Sequence, residues 1–260
     1  MTVQDSTISQ PPSHPVVFLG AGPGDPELIT LKGRRLLDQA DLIIYAGSLV
    51  NKELLTGVQG ECFDSAGMDL EQILKHIIAG YRKGQKVVRL HTGDPAIYGA
   101  IREQMQWLDK EEIPYEVVPG VSSAFATAAT LKKELTVPEV TQTVILTRQA
   151  GRTPVPERES LRNLAAAQAT MCIFLSVSMM DKVAADLIDG GYTPETPVAV
   201  VEKASWPEEK KLTGTLANID EKIKASGIKK TAMIIVGPAL DMESTIASKL
   251  YDTKFKHEYR

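Results

Sequence analysis

The chain has 260 residues, of which 43% are apolar and 24% charged, a composition typical of a globular protein and not of a disordered or fibrous one. Its formal net charge of -4 at pH 7 argues against a surface that wraps nucleic acid. The two cysteines, Cys62 and Cys172, lie far apart in apolar, strand-like contexts and are interpreted as reduced, buried thiols of a cytoplasmic protein. The four histidines show no metal-ligand spacing, so no metal site is predicted.

Both ends of the chain are interpreted as tails. Residues 1–14 are polar and contain prolines, without the basic and apolar regions of a secretory signal, and are expected to form a flexible tail. A C-terminal tail is expected over residues 246–260. The longest apolar runs, such as MCIFLSV and AMIIVG, are far shorter than the roughly 20 residues of a membrane helix, so no membrane span is expected.

Short β-rich runs alternate with helical patterns along most of the chain, which predicts an α/β architecture. In the first half, strands are predicted at PVVFLG, DLIIYA, KVVRLH and YEVVPG. Apolar residues at helical spacing predict helices over DLEQILKHIIAGYRKG and YGAIREQMQWLDK. The small-residue segment SSAFATAATLKK predicts a further helix with Ser122 or Ser123 as its N-cap.

The pattern breaks at ELTVPEVTQ and then restarts, which places a predicted domain boundary near Pro138. The expected domains are therefore residues 15–138 and 139–245. In the second, strands are predicted at TVILTR, MCIFLSV, PVAVVEK, KLTGTL and TAMIIVG, with helices around ESLRNLAAAQ, SMMDKVAADLIDGG and LANIDEKIKASG.

The first strand runs into a loop with three glycines, GAGPGDP, that superficially resembles a dinucleotide-binding turn. Its glycines are spaced G-x-G-x-G and not G-x-G-x-x-G, and the acid of the second strand, Asp41, stands at the strand's start and not at its end. A dinucleotide-dependent dehydrogenase is therefore rejected. The loop is predicted to form a tight turn with Asp25 as N-cap and Pro26 at the first helical position, and this turn does not exclude a ligand.

Three more loops follow predicted strands in the same way. They are HTGDPAIYG, PGVSSAF and EKASWPEE. In an open parallel sheet such loops emerge together at the carboxyl ends of the strands, where ligands bind. Each motif alone is weak, and their order and spacing are the stronger signal.

Taken in order, GAGPGDPELIT, DLIIYAGSLV, HTGDPAIYGA, VVPGVSSAFATAA, LTRQAGRTPVPE, VVEKASWPEE and IIVGPAL resemble the tetrapyrrole methylase family of S-adenosylmethionine-dependent enzymes, over about residues 15–245. Within it, YAGSLV, DSAGMDLEQI, GRTPVPE and KASWPEE resemble the branch that methylates carbon 11 of precorrin-4 or cobalt-precorrin-4 in cobalamin biosynthesis. The resemblance implies two dissimilar α/β domains, with S-adenosylmethionine in the cleft between them, S-adenosylhomocysteine as product, and a homodimer.

The resemblance also implies positions that contact the methyl donor. They are Pro23, Thr92, Gly93, Asp94, Ile97, Ser122, Ser123, Ser176, Ala204 and Pro238. A related uroporphyrinogen methyltransferase carries an Asp after the Tyr that closes its second strand, and the matching residue here is Ala46. This difference argues against uroporphyrinogen as the substrate. No catalytic acid or base is assigned.

A donor that is already activated needs in-line placement and exclusion of water more than strong acid–base groups. Asp94 is expected to accept hydrogen bonds from the donor, with a turn-capping role as the alternative. The acceptor's carboxylates would be held by cations, and the candidates are Arg148, Arg152 and Lys203. The alternative is that the two arginines are solvated or pair with Glu157 and Glu159.

Other activities of the same fold stay open from sequence. A diphthine synthase or a ribosomal-RNA ribose methylase is the nearest enzymatic alternative, and the acidic net charge counts against RNA. A non-catalytic module that binds a tetrapyrrole or nucleotide is the alternative from another class. The expected partner is a small-molecule tetrapyrrole, without nucleic acid or membrane.

Overall fold

A computed structural model describes residues 14–241 of the chain. The tails predicted over residues 1–14 and 246–260 lie outside this range, apart from His14. None of the helices in the described range has the length and hydropathy that a membrane span requires.

The chain divides into two compact units between Ser122 and Ser123, upstream of the boundary expected near Pro138. The segment between these positions packs with the second unit. Its buried Ala124, Ala128 and Leu135 share a hydrophobic cluster with Cys172 and Ile235. The break in pattern at ELTVPEVTQ is therefore a connection inside the second unit.

The first unit is built on an open parallel sheet, as the sequence predicts. Its strands lie in the order β3-β2-β4-β1-β5, and every neighbouring pair is parallel. The strands are β1 (Val16–Gly20), β2 (Leu42–Tyr45), β3 (Glu61–Asp64), β4 (Val87–His91) and β5 (Tyr115–Val118). Strand β3, with the sequence ECFD, is a largely exposed edge strand and was not predicted from the sequence.

Helices cover both faces of this sheet and are α1 (Leu31–Asp38), α2 (Leu70–Arg82) and α3 (Ile101–Lys110). Helix α1 packs Leu37 on the face that carries Val17 and Leu19. Helices α2 and α3 pack on the opposite face, which carries Phe18. The connections that leave β1 and β4 thus go to opposite faces, and such a switch point opens a crevice at the carboxyl ends of neighbouring strands.

The second unit contains a different, mixed sheet in the order β6-β7-β10-β8-β9. Only β6 and β7 pair in parallel among these neighbours, and the other three pairs are antiparallel. Its elements in chain order are α4 (Ser123–Leu131), β6 (Val144–Arg148), α5 (Leu161–Ala165), β7 (Thr170–Phe174), α6 (Met180–Asp189), β8 (Pro197–Glu202), β9 (Lys210–Thr215), α7 (Ile219–Ser226) and β10 (Ala232–Val236). The two units are therefore dissimilar α/β domains, as expected.

Two sequence-based expectations need correction. The EKASWPEE loop follows β8 of the mixed sheet, so it does not share the edge of the parallel sheet with the other three loops. Cys172 is fully buried, but Cys62 is exposed because it lies on the edge strand β3. Both thiols are free.

Candidate functional site

In the first unit, the loops that follow β1 and β4 are joined by backbone hydrogen bonds. The Gly93 N–H donates to Gly22 O at 2.7 Å, and the Gly22 N–H donates to Gly93 O at 3.2 Å. One step earlier, the Ala21 N–H donates to His91 O at 2.7 Å. The Gly22–Gly93 pair is an isolated antiparallel bridge, unlike the parallel pairing of β1 with β4, and it joins the two loops at the base of the crevice.

The third loop, after β5, closes on the other two through glycine. A Cβ on Gly20 would lie 2.6 Å from Gly120 Cα, and a Cβ on Gly120 would lie 2.1 Å from Gly93 O. No real side chain tolerates such distances, so the three loops meet backbone to backbone. The result is a crevice with a surface of peptide groups, the kind of surface that can approach a ligand closely.

Asp94 ties two of these loops together. Its Oδ1 accepts from the Ala96 N–H at 2.8 Å and its Oδ2 accepts from the Gly120 N–H at 3.0 Å. The turn-capping role that the sequence left open is thus present, and it extends to a second loop. Each oxygen keeps a further lone pair, so the expected contact of Asp94 with a donor stays a prediction.

The other residues of this unit expected to contact the donor lie on the same three loops. Pro23 and Ser122 are buried, and Thr92 and Ile97 are partly exposed. Asp25 accepts from the Glu27 N–H at 2.8 Å, and Pro26 begins a 3₁₀ turn, which confirms the predicted capping of the first loop.

Sequence reasoning missed a buried polar pair beneath this crevice, on the face of β4 that packs against α2 and α3. Arg89 is 6% exposed and donates from Nη1 to Ile44 O at 3.1 Å, while its Nε has no hydrogen-bond partner among the described residues. His91 is 4% exposed. Burial, and then the charge of Arg89, lower the pKa of His91 from 6.5 to about 3, so this imidazole is neutral. The arginine within the apolar run KVVRLH was the available signal.

In the second unit, most of the predicted site residues lie at one end of the strands of the mixed sheet. Strand β10 is antiparallel to both β7 and β8, so these two run in the same direction as β6. Arg148, Ser176 and Ala204 lie at or just after the carboxyl ends of these three strands. Pro238 follows β10 and therefore lies at the opposite end of the strands. There, a Cβ on its neighbour Gly237 would meet Ala169 O at 2.9 Å. The structure does not bring Pro238 together with Ser176 and Ala204.

The hydroxyl of Ser176 is already engaged. It accepts from the Gln149 N–H at 2.8 Å and donates to Phe174 O at 2.6 Å, and the residue is fully buried. Ser176 therefore holds the ends of β6 and β7 together. A contact of its hydroxyl with a donor would have to replace one of these bonds.

The three candidate cations differ in whether their side chains already have hydrogen-bond or ion-pair partners. Arg148 donates to Thr153 O at 3.0 Å and to Pro154 O at 2.8 Å, so it braces its own loop and does not pair with Glu157 or Glu159. Lys203 pairs with Glu208 at 3.4 Å and lies 5.6 Å from the centroid of the Trp206 ring. The exposed side chain of Arg152 makes no hydrogen bond or ion pair with the described residues.

The loop that contains Ala204 is fastened to helix α4, which begins at the predicted donor contact Ser123. Ala204 packs in a cluster with Ala126 of this helix. Glu209 accepts from the Ser205 N–H and from Thr130 Oγ1, both at 2.8 Å. Ala204 is thus held against the helix by apolar packing and by a carboxylate bridge.

Five of the ten residues other than glycine with a positive φ angle in the described range lie in these loops. Tyr98 and Ala100 after β4, Leu175 after β7, and Lys203 and Ser205 after β8 all have positive φ angles, an uncommon conformation for residues other than glycine. Leu175 is also 70% exposed and lies at the same end of the strands as Arg148. Such strain is concentrated at functional sites, and Leu175 is a candidate that the sequence did not single out.

Among residues 14–241, no group of three or more His, Cys, Asp or Glu side chains could hold a metal ion. A groove of about 520 Å³ lies between β3 and α2 and is lined in part by Phe63, His76 and Lys83. This groove lies away from the crevice and contains none of the predicted site residues.

Comparison with known proteins places this chain in a family. The model of the tetrapyrrole (corrin/porphyrin) methylases matches residues 15–220, so the chain belongs to this family. A relative from Methanocaldococcus jannaschii named cobalt-precorrin-4 C(11)-methyltransferase is 59% identical over 94% of this chain and 95% of its own.

Solved structures agree with this assignment. The X-ray structure of a cobalamin biosynthetic enzyme, cobalt precorrin-4 methyltransferase, matches with a TM-score of 0.85 and 50% identity, over 87% of this chain and 95% of its own. A uroporphyrin-III C-methyl transferase from Thermus thermophilus, complexed with S-adenosylhomocysteine, matches with a TM-score of 0.75 and 31% identity, over 87% and 99%.

Proposed function

We propose that the chain transfers a methyl group from S-adenosylmethionine to carbon 11 of precorrin-4 or cobalt-precorrin-4, a step of cobalamin biosynthesis. The observation that carries the proposal is the backbone-lined crevice at the ends of β1, β4 and β5, in a chain that belongs to the tetrapyrrole methylases. The name of the 59% identical relative supports the substrate.

The residues around the crevice fit the donor. The close approach of Gly20 to Gly120 leaves peptide groups, and not side chains, to face a ligand. When bound, S-adenosylmethionine supplies a methyl group that its sulfonium already activates. The loops' task is to hold it in line with the acceptor and to exclude water, and such alignment can contribute roughly 7–11 kcal/mol.

The acceptor's carboxylates are the proposed ligands of the second unit's cations. Arg152 is the strongest candidate because its guanidinium has no partner among the described residues and can bind a carboxylate with two hydrogen bonds. Lys203 can contribute after leaving Glu208, a partner that is itself largely exposed. Arg148 shapes the loop that carries Arg152.

One experiment tests the proposal and separates it from its alternatives. The protein is incubated with isotope-labelled S-adenosylmethionine and precorrin-4, with and without cobalt, and the pigment is analysed by mass spectrometry. The expected result is a gain in mass of one labelled methyl group, which NMR of the pigment locates at carbon 11. A pigment that is retained without modification would identify a binding module. In a parallel incubation, methylation of uroporphyrinogen III and not of precorrin-4 would identify a different substrate.

We also propose a cytoplasmic homodimer. Two free cysteines, one of them exposed, are compatible with a reducing compartment. The oligomeric state is measured by light scattering coupled to gel filtration. A monomeric mass at micromolar concentration would contradict the dimer without affecting the proposed reaction.

A further inference from the structure

Asn51 uses both ends of its side-chain amide to connect two segments of the first unit. Its Nδ2 donates to Gly24 O at 2.9 Å, and its Oδ1 accepts from the Glu53 N–H at 3.0 Å. The residue is 8% exposed. Asn51 ends the segment that follows β2, whereas Gly24 belongs to the loop that follows β1.

The loop that receives this hydrogen bond is held at three points. Gly22 pairs with Gly93 of the β4 loop, Gly24 is held by Asn51, and Asp25 caps the turn that begins at Pro26. The proposed donor contact Pro23 lies between the first two of these points. A change at Gly24 O therefore alters the peptide groups on the C-terminal side of Pro23.

The segment that provides Asn51 is itself rigidly placed. Asn51 caps the 3₁₀ turn Lys52–Leu55. Leu54 of this turn is buried in the cluster that contains Leu37 of α1, and Leu54 O accepts from Arg34 Nη1 at 2.8 Å. The amide of Asn51 thus extends from a turn that is fixed to α1, so it can hold Gly24 in one position.

We propose that Asn51 is a positioning residue for donor binding, through its hydrogen bond to Gly24 O. This inference rests on the proposed function, because it assumes that the Pro23 loop contacts S-adenosylmethionine. Asn51 touches neither reacting group. It fixes the loop that does, and it couples that loop to the segment between Ala46 and Asn51.

The two roles of Asn51 are separable by substitution. An aspartate caps the turn as well as an asparagine does, because both offer a side-chain oxygen to the Glu53 N–H. It has no N–H to donate to Gly24 O, and it sets a carboxylate against that carbonyl. Asn51→Asp therefore removes the bond across the loops and keeps the local cap. Asn51→Ser also keeps a capping oxygen but is too short to reach Gly24.

Asn163 provides a matched control in the second unit. Its Nδ2 donates to Glu157 O at 2.7 Å, the same kind of bond from a side-chain amide to a backbone carbonyl. Asn163→Asp removes that bond without touching the loops of the first unit. Because Asn163 is exposed and Asn51 is buried, this variant controls for the change of charge and for the loss of an amide bond, and not for the burial of a carboxylate.

The affinity of each full-length protein for S-adenosylhomocysteine is measured by isothermal titration calorimetry, and its Tm by differential scanning calorimetry. We expect Asn51→Asp and Asn51→Ser to raise the Kd about tenfold, equivalent to about 1.4 kcal/mol, while Asn163→Asp keeps the wild-type Kd. A purely structural role would lower the Tm and leave the Kd, measured well below the transition, unchanged.

Each outcome decides a specific point. Wild-type Kd values in both Asn51 variants would overturn the positioning role while leaving the proposed function intact. An equal loss of affinity in Asn163→Asp would also overturn it, because the effect would not be specific to the loop. If the wild-type protein itself fails to bind S-adenosylhomocysteine, the proposed function fails and the inference fails with it.

Discussion

Asp94 Oδ2 accepts a hydrogen bond of 3.0 Å from the Gly120 N–H, and this single contact joins the loops after β4 and β5. The two residues are far apart in sequence but come from strands on either side of β1. The carboxylate thereby holds the glycine close to Gly20, where no side chain fits. A residue expected to contact the donor is thus also a clamp of the crevice that would receive it.

Replacing Asp94 should therefore weaken donor binding even if it never touches the donor. Asp94→Asn offers one carbonyl oxygen where two N–H groups need acceptors, so either the half-buried Gly120 N–H or the exposed Ala96 N–H loses its partner and the clamp between the loops is weakened. We expect a Kd for S-adenosylhomocysteine at least about tenfold higher by calorimetry. Asp220→Asn, which removes an exposed pair with Lys224, is the control and should have little effect. A wild-type Kd for Asp94→Asn would exclude both roles.

Gly120 tests whether the crevice depends on backbone contact. A methyl group there would lie 2.1 Å from Gly93 O, so Gly120→Ala must displace one of the three loops. Overpacking of this kind typically costs 1–3 kcal/mol, and we expect a lower Tm together with loss of S-adenosylhomocysteine binding. Gly67→Ala is the matched control because a Cβ at that position meets nothing within 4 Å. Unchanged binding in Gly120→Ala would show that the crevice is not the donor site.

Much of this first unit could be predicted from its sequence, for a physical reason. Buried parallel strands are short apolar runs, and β1, β2 and β4 stand out as such. Strand β3 could not be found in this way, because ECFD lies on an exposed edge and has no apolar face to reveal it. The bond between Asp94 and Gly120 was equally invisible, since it depends on which strands become neighbours, whereas the cap of Asp94 on Ala96 is local and was considered from sequence.

The second unit shows a different limit. The apolar runs predict its strands, but nothing in them gives the direction of each strand. The sequence therefore could not show that Pro238 and Ser176 lie at opposite ends of the sheet's strands. The alanines of α4 likewise give no sign of which sheet they pack against. Their contact with the cluster around Cys172 moves the boundary between the units to Ser122.

The arginines after β6 should separate into two roles. Arg152→Met removes a guanidinium without a partner among the described residues, so we expect a higher KM for precorrin-4, by about tenfold, with unchanged Kd for S-adenosylhomocysteine and unchanged Tm. Arg148→Met removes two hydrogen bonds to Thr153 and Pro154 and should lower the Tm as well. Steady-state kinetics and calorimetry provide these values. A change in donor binding alone for Arg152→Met would contradict its assignment to the acceptor.

His91 should make stability depend on pH in a defined window. Its pKa in the folded protein is lowered from 6.5 to about 3 by burial and by the charge of Arg89. Between these two pH values His91 is protonated in the unfolded chain and neutral in the folded protein. The stability that depends on neutral His91 is therefore present above pH 6.5 and is lost as the pH falls toward 3. The contribution lost between pH 7 and pH 5 is about 2 kcal/mol.

The substitution His91→Gln isolates this contribution, because glutamine is polar but does not titrate. Urea denaturation of the wild-type protein and of His91→Gln at pH 7 and pH 5 gives four free energies of unfolding. Other groups titrate alike in both proteins, so their effects cancel in the difference. We expect the wild type to lose about 2 kcal/mol more than the variant on acidification. Parallel losses would mean that His91 is protonated in the folded protein, and that the buried pair with Arg89 is open to water.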